Sequence, residues 1–435
     1  MLDVAPSLPE RDESRLREIV VDLLQLHDTM TQRAEAAAVA DAYTTLHDEG
    51  KRRFLSMLSR EFWVDAGAVN AAIDARGATA FSNDDAKRRA DRALREALTP
   101  HAVQLLKLFA GLDGGVKFLV DLRADLLRVT DADVDPTGGD PSLVDLDREL
   151  RAQLAALFDV GLLTLRRIAW DAPASLLEKL ITYEAVHAIN SWADLKNRLD
   201  SDRRCYAFFH PAMPAEPLIF VEIALTNGIA TELTQLLDER APDLDAESAD
   251  TAVFYSISNC QPGLAGVNLG TALIKEVVEE LRHDLPNLER FVTLSPIPGF
   301  VDWLVCELED GADLSPRERE LLPAEPERVL ARLANEGWDA DEAIRPAVLA
   351  LCARFLMTTA DGRALDPVAN FHLANGAAIE RINWRADASP NGRTHSAGIM
   401  ANYLYEADRM PERAEAYVAH GEIAAASAVR DLRAE

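Results

Sequence analysis

The chain has 435 residues, and its 45 Lys and Arg residues are outnumbered by 73 Asp and Glu residues, which gives a formal net charge of −28. This length allows about two or three domains of ~150 residues each. The charge excludes a general nucleic-acid binder and a protein that docks on anionic lipid, because both need clustered Lys and Arg. We therefore expect no nucleic-acid partner and no membrane partner.

The cysteines and the first residues of the chain indicate its cellular compartment. The four cysteines, Cys205, Cys260, Cys306 and Cys352, lie far apart, and no CxxC or zinc-type spacing occurs. The first residues are acidic and lack the basic start and apolar run of a targeting sequence. The apolar run at 217–225 is too short to span a bilayer. These features predict a cytoplasmic protein with reduced cysteines and without a metal.

The first part of the chain has helical periodicity. Apolar residues of the first segment recur at steps of three and four, at Leu16, Ile19, Val20, Leu23 and Leu24. Similar patterns follow as far as a loop at 131–140, and a last helical pattern runs from Leu143 to about Ile168. Hydrophobic residues form 48% of the chain but aromatic ones only 6%, which also favours helices. The sequence predicts an all-helical bundle over residues 1–163.

The second part alternates between strand and helix patterns. Cys205–His210 and Leu218–Leu225 read as a strand pair separated by a proline-rich turn. Ile229–Leu237 reads as a helix, and Ala252–Ser258 reads as a strand rich in β-branched and aromatic residues. This alternation predicts an α/β domain over residues 164–435, so that the chain as a whole has an α+β organisation.

A glycine loop joins that last strand to a helix. Residues 259–270 read NCQPGLAGVNLG, and the following segment has the apolar spacing of a helix. Strand, glycine loop and helix together can direct backbone N–H groups and the positive helix end towards a phosphate. Gly263, Gly266 and Gly270 would let the backbone approach such a ligand. The spacing matches neither GxGxxG nor a P-loop, and a glycine turn without any ligand explains it equally well.

Two later segments contain residue types that carry out chemistry. Ser295 begins the stretch SPIPGF, in which prolines stiffen a corner between a strand and a helix. His372 lies between Asn370 and Asn375 in an otherwise apolar stretch. Taken alone, Ser295 is more simply a turn or helix-capping serine, and His372 a buried structural residue.

Five motifs resemble those of the malonyl-CoA decarboxylase family. They are QPGLAGV at 261–267, LSPIPGF at 294–300, DPVANFHLANGA at 366–377, RINW at 381–384 and MANY at 400–403. Asp366 stands where some relatives have Asn. The segment GVNLGTALI also resembles the pyrophosphate loop of the Gcn5-related acetyltransferase (GNAT) superfamily, except that Ala265 replaces its Arg or Gln and Asn268 its middle Gly.

The resemblance implies a domain plan and a set of site residues. It implies a helical oligomerisation domain over 1–163, followed over 164–435 by a GNAT-like catalytic domain that binds acyl-CoA. The acidic segment at 307–342, between Ser295 and His372, itself predicts a helical insertion in that domain. Ser295 and His372 fall on the family's catalytic pair. The substrate-binding residues would be Gln261, Pro262, Gly263, Leu264, Ala265, Gly266 and Val267, together with Ser295 and His372. The implied partner, besides the acyl-CoA substrate, is a second copy of the chain in a dimer or tetramer.

The reaction implied is the conversion of malonyl-CoA to acetyl-CoA and CO2. No cofactor is expected, because the thioester carbonyl can itself take up the electron pair left by CO2. Ser295 would hydrogen-bond the malonyl carboxylate or thioester oxygen, and His372, with an ordinary pKa of ~6.5, would supply a proton. Two alternatives share the expected fold: an acyl-CoA-dependent acyltransferase, and an acyl-CoA sensor without catalysis.

Overall fold

A computed structural model describes residues 2, 4–26, 28–79, 83–130, 140–241, 244–309, 315, 318, 320 and 344–433. The chain forms two compact units. The first contains Met1–Thr164, Phe209–Leu218 and Cys260–Leu269, and the second contains Leu165–Phe208, Ile219–Asn259 and Gly270–Glu435. The glycine loop therefore belongs to the first unit. Almost all of the insertion predicted at 307–342, and most of the loop predicted at 131–140, lie outside the described residues.

The first unit is built from helices. They are α1 (Glu10–Gln25), α2 (Thr29–Thr44), α3 (Asp48–Glu61), α4 (Ala66–Ala78), α5 (Asp84–Ala97), α6 (His101–Ala110), α7 (Gly115–Thr130) and α8 (Pro141–Leu157). Acidic or amide side chains cap several of them, as Asp140 does by accepting the N–H of Ser142 at the start of α8. The apolar stripe of α1 buries Leu16, Val20 and Leu23, as its spacing predicts. The expectation of a helical first half is confirmed.

One predicted boundary in this region is wrong. The helical pattern from Leu143 was expected to continue to about Ile168, but α8 ends at Leu157. A turn of 3-10 helix follows at Val160–Leu162, where the Asp159 carboxylate accepts the N–H of Gly161 at 3.0 Å. Strand β1 (Thr164–Ile168) then begins the sheet. Sheet pairing beside the next strand outweighs the apolar spacing that suggested a longer helix.

The second unit contains most of a mixed sheet. After β1 its strands are β2 (Arg203–His210), β3 (Met213–Thr226), β4 (Thr251–Asn259), β5 (Arg290–Thr293), β6 (Ser295–Pro296), β9 (Ala378–Asn383) and β10 (Met400–Leu404), while β7 (Thr359–Ala360) and β8 (Arg363–Ala364) form a separate hairpin. The order is β1-β2-β3-β4-β5-β10-β6, with β9 also paired to β10. The pair β3–β4 is antiparallel, whereas β4–β5 is parallel. A mixed sheet after a helical region is the predicted α+β class, which is confirmed.

Helices connect and flank these strands. They are α9 (Ala174–Tyr183), α10 (Trp192–Asn197), α11 (Leu233–Leu236), α12 (Leu269–Asp284), α13 (Phe300–Glu309), α14 (Arg345–Leu356), α15 (Pro367–Ala374), α16 (Pro390–Ser396), α17 (Met410–His420) and α18 (Ser427–Leu432). The helix expected over Ile229–Leu237 is reduced to α11, because Gly228 has a left-handed φ of +80° and Glu232 is extended. Among the described residues, no helix is long and apolar enough to cross a membrane.

The sheet determines where Ser295 lies. β5 and β6 are separated by Leu294, and both pair antiparallel with β10, so that Ser295 stands opposite Ala401. Side chains alternate along a strand, so Ala401 and Tyr403 lie on the same face of the sheet. The chain is still paired just beyond β10, where the N–H of Tyr405 donates to the carbonyl of Phe291 at 2.8 Å. Two tyrosines are thus placed on the face that Ser295 occupies.

Candidate active site

Ser295 and His372 meet in the second unit. Although 77 residues separate them in sequence, Ser295 Oγ lies 3.0 Å from His372 Nε2. Ser295 is on β6 and His372 is in the last turn of α15, and the two residues are only 7% and 2% exposed. The structure therefore brings together the two residues that the motifs single out. Their catalytic role stays a prediction.

Asp366 connects the segments that carry this pair. Its Oδ1 accepts the N–H of Ala369 at 2.7 Å and so caps α15, whose first residue is Pro367. Its Oδ2 accepts the N–H of Gly299, at 3.4 Å, from the corner that follows Ser295. A single buried carboxylate thus links the corner after Ser295 to the helix that contains His372.

The Asp366 carboxyl should make stability depend on pH. Burial raises its pKa from 3.8 to about 6. The folded chain thus binds this proton more tightly than the unfolded chain, and the stability this provides is lost as pH rises through about 6. Asn can still cap α15 but does not ionise. The unfolding free energy of Asp366→Asn relative to the parent, measured by urea denaturation, should rise by up to about 3 kcal/mol between pH 4 and pH 7. A pH-independent difference would contradict this.

A chain of hydrogen bonds sets the orientation of the His372 ring. The Ser295 hydroxyl donates to Thr293 Oγ1 at 2.9 Å, so its oxygen is left to accept from His372 Nε2–H. His372 Nδ1 then carries no proton and accepts from the Tyr405 hydroxyl, with the two atoms 2.7 Å apart. This tautomer is assigned from the direction of the bonds. The hydrogen bonds of Thr293 and Tyr405 thus both favour the His372 tautomer in which Nε2–H faces Ser295.

The ring of His372 is also enclosed by aromatic groups. It stacks on Tyr403, with ring centroids 4.4 Å apart and planes inclined by 25°. Burial lowers the pKa of His372 to about 3 and raises the pKa of Tyr405 above its usual range. At neutral pH both side chains are therefore uncharged in the ligand-free site. The ordinary histidine pKa assumed from the sequence does not apply to this position.

The glycine loop folds against the helices of the first unit. Residues Pro262–Leu264 form a turn of 3-10 helix. A Cβ at Gly263 would lie 1.8 Å from the carbonyl oxygen of Val120 on α7, so the close approach at this glycine is to protein backbone. Gln261 is buried and donates from Nε2 to the carbonyl of Pro217 at 3.0 Å. Glycine at 263 is thus explained by packing, whether or not a ligand binds.

A buried arginine holds the loop in place. Arg123 of α7 is 2% exposed, and its Nη1 donates to the carbonyls of Gly263, at 2.8 Å, and Ala265, at 2.7 Å. Its Nε pairs with Asp147 of α8 at 2.8 Å. Sequence reasoning missed this residue, although a signal was available, because Arg123 interrupts an apolar stripe that includes Leu119 and Leu126. A charge at a buried helix position needs a partner.

The predicted loop residues divide into buried and exposed members. Gln261, Gly263 and Leu264 are buried, Val267 is half-buried, and Pro262, Ala265 and Gly266 are exposed. Across the described ranges, no group of three His, Cys, Asp or Glu side chains could hold a metal ion, and no disulfide joins the cysteines. The structure thus places Ser295 with His372 in the second unit, and the loop in the first.

The fold and the pair define a class: an α+β protein in which a helical unit precedes a mixed sheet that buries a hydroxyl–imidazole pair. Family models then specify the family. The malonyl-CoA decarboxylase N-terminal domain model matches residues 62–158, and the C-terminal domain model of the same name matches residues 161–435. The chain belongs to the malonyl-CoA decarboxylase family, and the resemblance seen in its motifs is confirmed.

Individual relatives match over nearly their whole length. A protein named mitochondrial malonyl-CoA decarboxylase from Anser anser anser is 37% identical, with 98% of this chain and 90% of that protein covered. The crystal structure of malonyl-CoA decarboxylase from Rhodopseudomonas palustris aligns with a TM-score of 0.86 and 40% identity, covering 96% of this chain and 99% of that one. The crystal structure of malonyl-CoA decarboxylase from Agrobacterium vitis aligns with a TM-score of 0.86 and 39% identity, covering 97% of this chain and 100% of that one.

Proposed function

We propose that this chain converts malonyl-CoA to acetyl-CoA and CO2. The observation that carries the proposal is the buried pair, in which Ser295 Oγ lies 3.0 Å from His372 Nε2 on the motifs that resemble the family's. Near-complete coverage of relatives named malonyl-CoA decarboxylase supports it. Ser295 and His372 are the proposed catalytic residues.

The reaction needs one bond broken and one proton delivered. The bond between the malonyl α carbon and its carboxylate breaks, and its electron pair moves into the thioester as an enolate while CO2 leaves. A proton added to the α carbon then gives the acetyl thioester. A hydrogen bond to the enolate oxygen stabilises the charge as it develops, which is the role we assign to Ser295. The thioester carbonyl accepts the electron pair, so we propose that no cofactor takes part.

The charge of the substrate changes the protonation of His372. Desolvation lowers the pKa of His372 to about 3 in the ligand-free site. A malonyl carboxylate bound beside the ring favours the charged imidazolium and so raises that pKa. His372 then takes a proton from solvent at Nδ1, its unprotonated nitrogen, when the substrate binds, and gives the proton of Nε2 to the α carbon after CO2 has left. Proton delivery is thus coupled to the presence of the anionic substrate.

The test is a CO2-release assay with malonyl-CoA and no acyl acceptor. The proposal predicts equal amounts of CO2 and acetyl-CoA, and that exhaustive dialysis against EDTA leaves the rate unchanged. An acyltransferase would release no CO2 and would need an amine acceptor. A sensor would bind malonyl-CoA without turnover. Either result would reject decarboxylation.

The loop and the helices have proposed roles of their own. We propose that Gln261–Val267 binds the coenzyme A portion of the substrate, since Ala265 and Gly266 are exposed. We also propose a homo-oligomer, a dimer or tetramer, formed through the helical unit. Its support is α4, which buries no residue within the chain and exposes half of Ile73. Light scattering of the purified chain should give a mass of at least twice 47.7 kDa.

The cytoplasm is the proposed location. Two relatives of known structure come from bacteria, and none of the four cysteines forms a disulfide. Fractionation of the source cells should recover the chain with cytoplasmic markers. Recovery with membranes or in the periplasm would reject this location.

Replacing Tyr405 with Phe should lower kcat by about tenfold to a hundredfold, as expected when a hydrogen bond that orients a catalytic imidazole is lost. The change removes the 2.7 Å contact to His372 Nδ1, so that the ring loses one of the two hydrogen bonds that orient it. Tyr403→Phe is the matched control, because it keeps the stacked ring and deletes a buried hydroxyl that has no hydrogen-bond partner among the described residues. The kcat values of the two variants are compared by steady-state kinetics with malonyl-CoA. Equal effects of the two substitutions would refute the role of Tyr405.

A further inference from the structure

The exposed edge of the glycine loop contains no charge of its own. None of the residues from Gln261 to Val267 is ionisable, and the whole chain carries a net charge of −28. Coenzyme A brings a pyrophosphate and a 3′-phosphate, whose binding calls for hydrogen-bond donors and a nearby cation. If the loop binds this ligand, the cation has to come from another segment.

Arg123 orients one backbone donor of the loop. The N–H groups of Leu264, Ala265 and Val267 donate to carbonyls inside the loop, at 2.9, 3.0 and 2.9 Å. The carbonyl of Ala265 instead accepts from the buried Arg123 guanidinium. The peptide is planar and trans, so the N–H of Gly266 points away from Arg123. Within the described part of the chain this N–H has no hydrogen-bond partner, and Gly266 is exposed.

A second arginine lies directly beside this donor. A Cβ built on Gly266 would be 3.3 Å from both Cζ and Nε of Arg151, which reaches the loop from α8. Gly266 also has a φ of +75°, so both the backbone conformation and the space taken by the guanidinium favour glycine there. The guanidinium of Arg151 therefore lies against the α carbon next to the outward N–H.

Arg151 is also available to a ligand. It is exposed, and it forms no ion pair with any carboxylate in the part of the chain that the structure describes. Its neighbour on the same helix, Arg148, pairs with Asp145 at 2.7 Å. In a chain with this excess of acidic residues, an arginine beside the loop without a carboxylate partner is the local source of positive charge.

We propose that Arg151 and the N–H of Gly266 bind a phosphate group of the coenzyme. The inference rests on the proposed function, and it deepens it by naming a side chain that recognises the substrate. Guanidinium donors match phosphate oxygens in geometry and charge, and the adjacent N–H adds a donor from a fixed direction. It follows that the helical unit contributes to substrate binding through α7, which holds the loop, and α8, which supplies the cation.

The test compares two charge-removing substitutions on one helix. Arg151→Gln should raise KM for malonyl-CoA about tenfold with little change in kcat, the size expected for one lost charged hydrogen bond at an exposed site. Arg148→Gln removes the same charge from an exposed residue that is already paired, and should leave KM within about twofold of the parent. Arg151→Lys, which keeps the charge, should recover part of the loss. Equal KM values for Arg151→Gln and Arg148→Gln would overturn the inference.

Truncated substrates identify the phosphate. If Arg151 contacts the pyrophosphate, its substitution should still raise KM for malonyl-dephospho-CoA and have no effect with malonyl-pantetheine. If it contacts the 3′-phosphate, the effect should vanish with malonyl-dephospho-CoA. An effect that persists with malonyl-pantetheine would overturn the phosphate assignment.

Calorimetry with coenzyme A separates this inference from the proposed function. A parent chain that binds coenzyme A but releases no CO2 would reject decarboxylation, while a tenfold weaker Kd in Arg151→Gln would still support the site. A parent chain that binds no coenzyme A would overturn both. A parent chain that is active, with an unchanged Kd in Arg151→Gln, would overturn only the role of Arg151.

Discussion

Replacing His372 with Asn should reduce CO2 release by about a thousandfold, within the range of general acid–base catalysis. Asn is close in size and keeps a polar group near Ser295, but it cannot deliver a proton to the α carbon. Ser295→Ala should cost about a hundredfold, because it removes a hydrogen bond to the developing enolate oxygen and leaves proton transfer in place. Both rates are measured as acetyl-CoA formed under saturating malonyl-CoA.

The matched control is His395→Asn, which changes an exposed histidine of α16 whose Nδ1 lies near the carbonyl of Asn391. It should retain the parental rate. Circular dichroism and coenzyme A affinity should match the parent for all three variants, which separates lost chemistry from lost folding. Substantial turnover by both His372→Asn and Ser295→Ala, with intact structure, would show that the pair does not carry the reaction.

The pair itself could be predicted from the sequence, but its environment could not. Ser295 and His372 stand in motifs long enough to be recognised, although each alone has a simpler structural explanation. Tyr405 and Thr293 lie outside any sequence pattern that indicates chemistry, because their roles depend on how the strands of the sheet pair. The register of β10 against β5 and β6 brings Thr293 and Ser295 next to the tyrosines. That register joins segments about 110 residues apart, which local periodicity does not encode.

The protonation of His372 shows a similar limit. A sequence supplies the ordinary pKa, whereas burial lowers the pKa in this site to about 3. In the sequence, Asp366 is only a position where some relatives have Asn, yet in the structure it links the Ser295 corner to the helix of His372. The pKa of His372 depends on how completely water is excluded from the ring, and the link through Asp366 depends on which segments pack together. Only the packed structure determines either of them.

The fold class was predictable because each half has a distinct periodicity, while the unit boundaries depend on packing. The glycine at 263 fitted either a ligand-binding loop or a plain turn, and in the structure its close neighbour is the carbonyl of Val120. The loop thus belongs with the helices of the first unit, although it follows a strand of the second. The order of elements in the sequence suggests that a loop packs with the strand before it. The position of this glycine loop is instead determined by its contacts with Arg123 of α7.

Arg123→Met should destabilise the first unit by about 1–3 kcal/mol, as expected when a buried carbonyl loses its hydrogen-bond donor. Methionine fits the apolar surroundings but leaves the Asp147 carboxylate without its 2.8 Å partner, and the carbonyls of Gly263 and Ala265 without a donor. The carbonyl of Gly263 is the buried acceptor among these three groups, because Ala265 is exposed and the Asp147 side chain is 27% exposed. A loss of this size is a large fraction of the stability of an ordinary domain, about 5–15 kcal/mol.

Arg128→Met on the same helix is the matched control, because Arg128 is 42% exposed and its ion pairs to Asp48 and Asp125 lie at the surface. It should cost less than about 1 kcal/mol. Since the two units need not unfold together, hydrogen exchange at the amides of Leu264 and Ala265 is the sharper measurement. Those amides should lose protection in Arg123→Met and keep it in Arg128→Met. Equal protection in the two variants would mean that the loop holds its shape without Arg123, and that the outward direction of the Gly266 N–H has another cause.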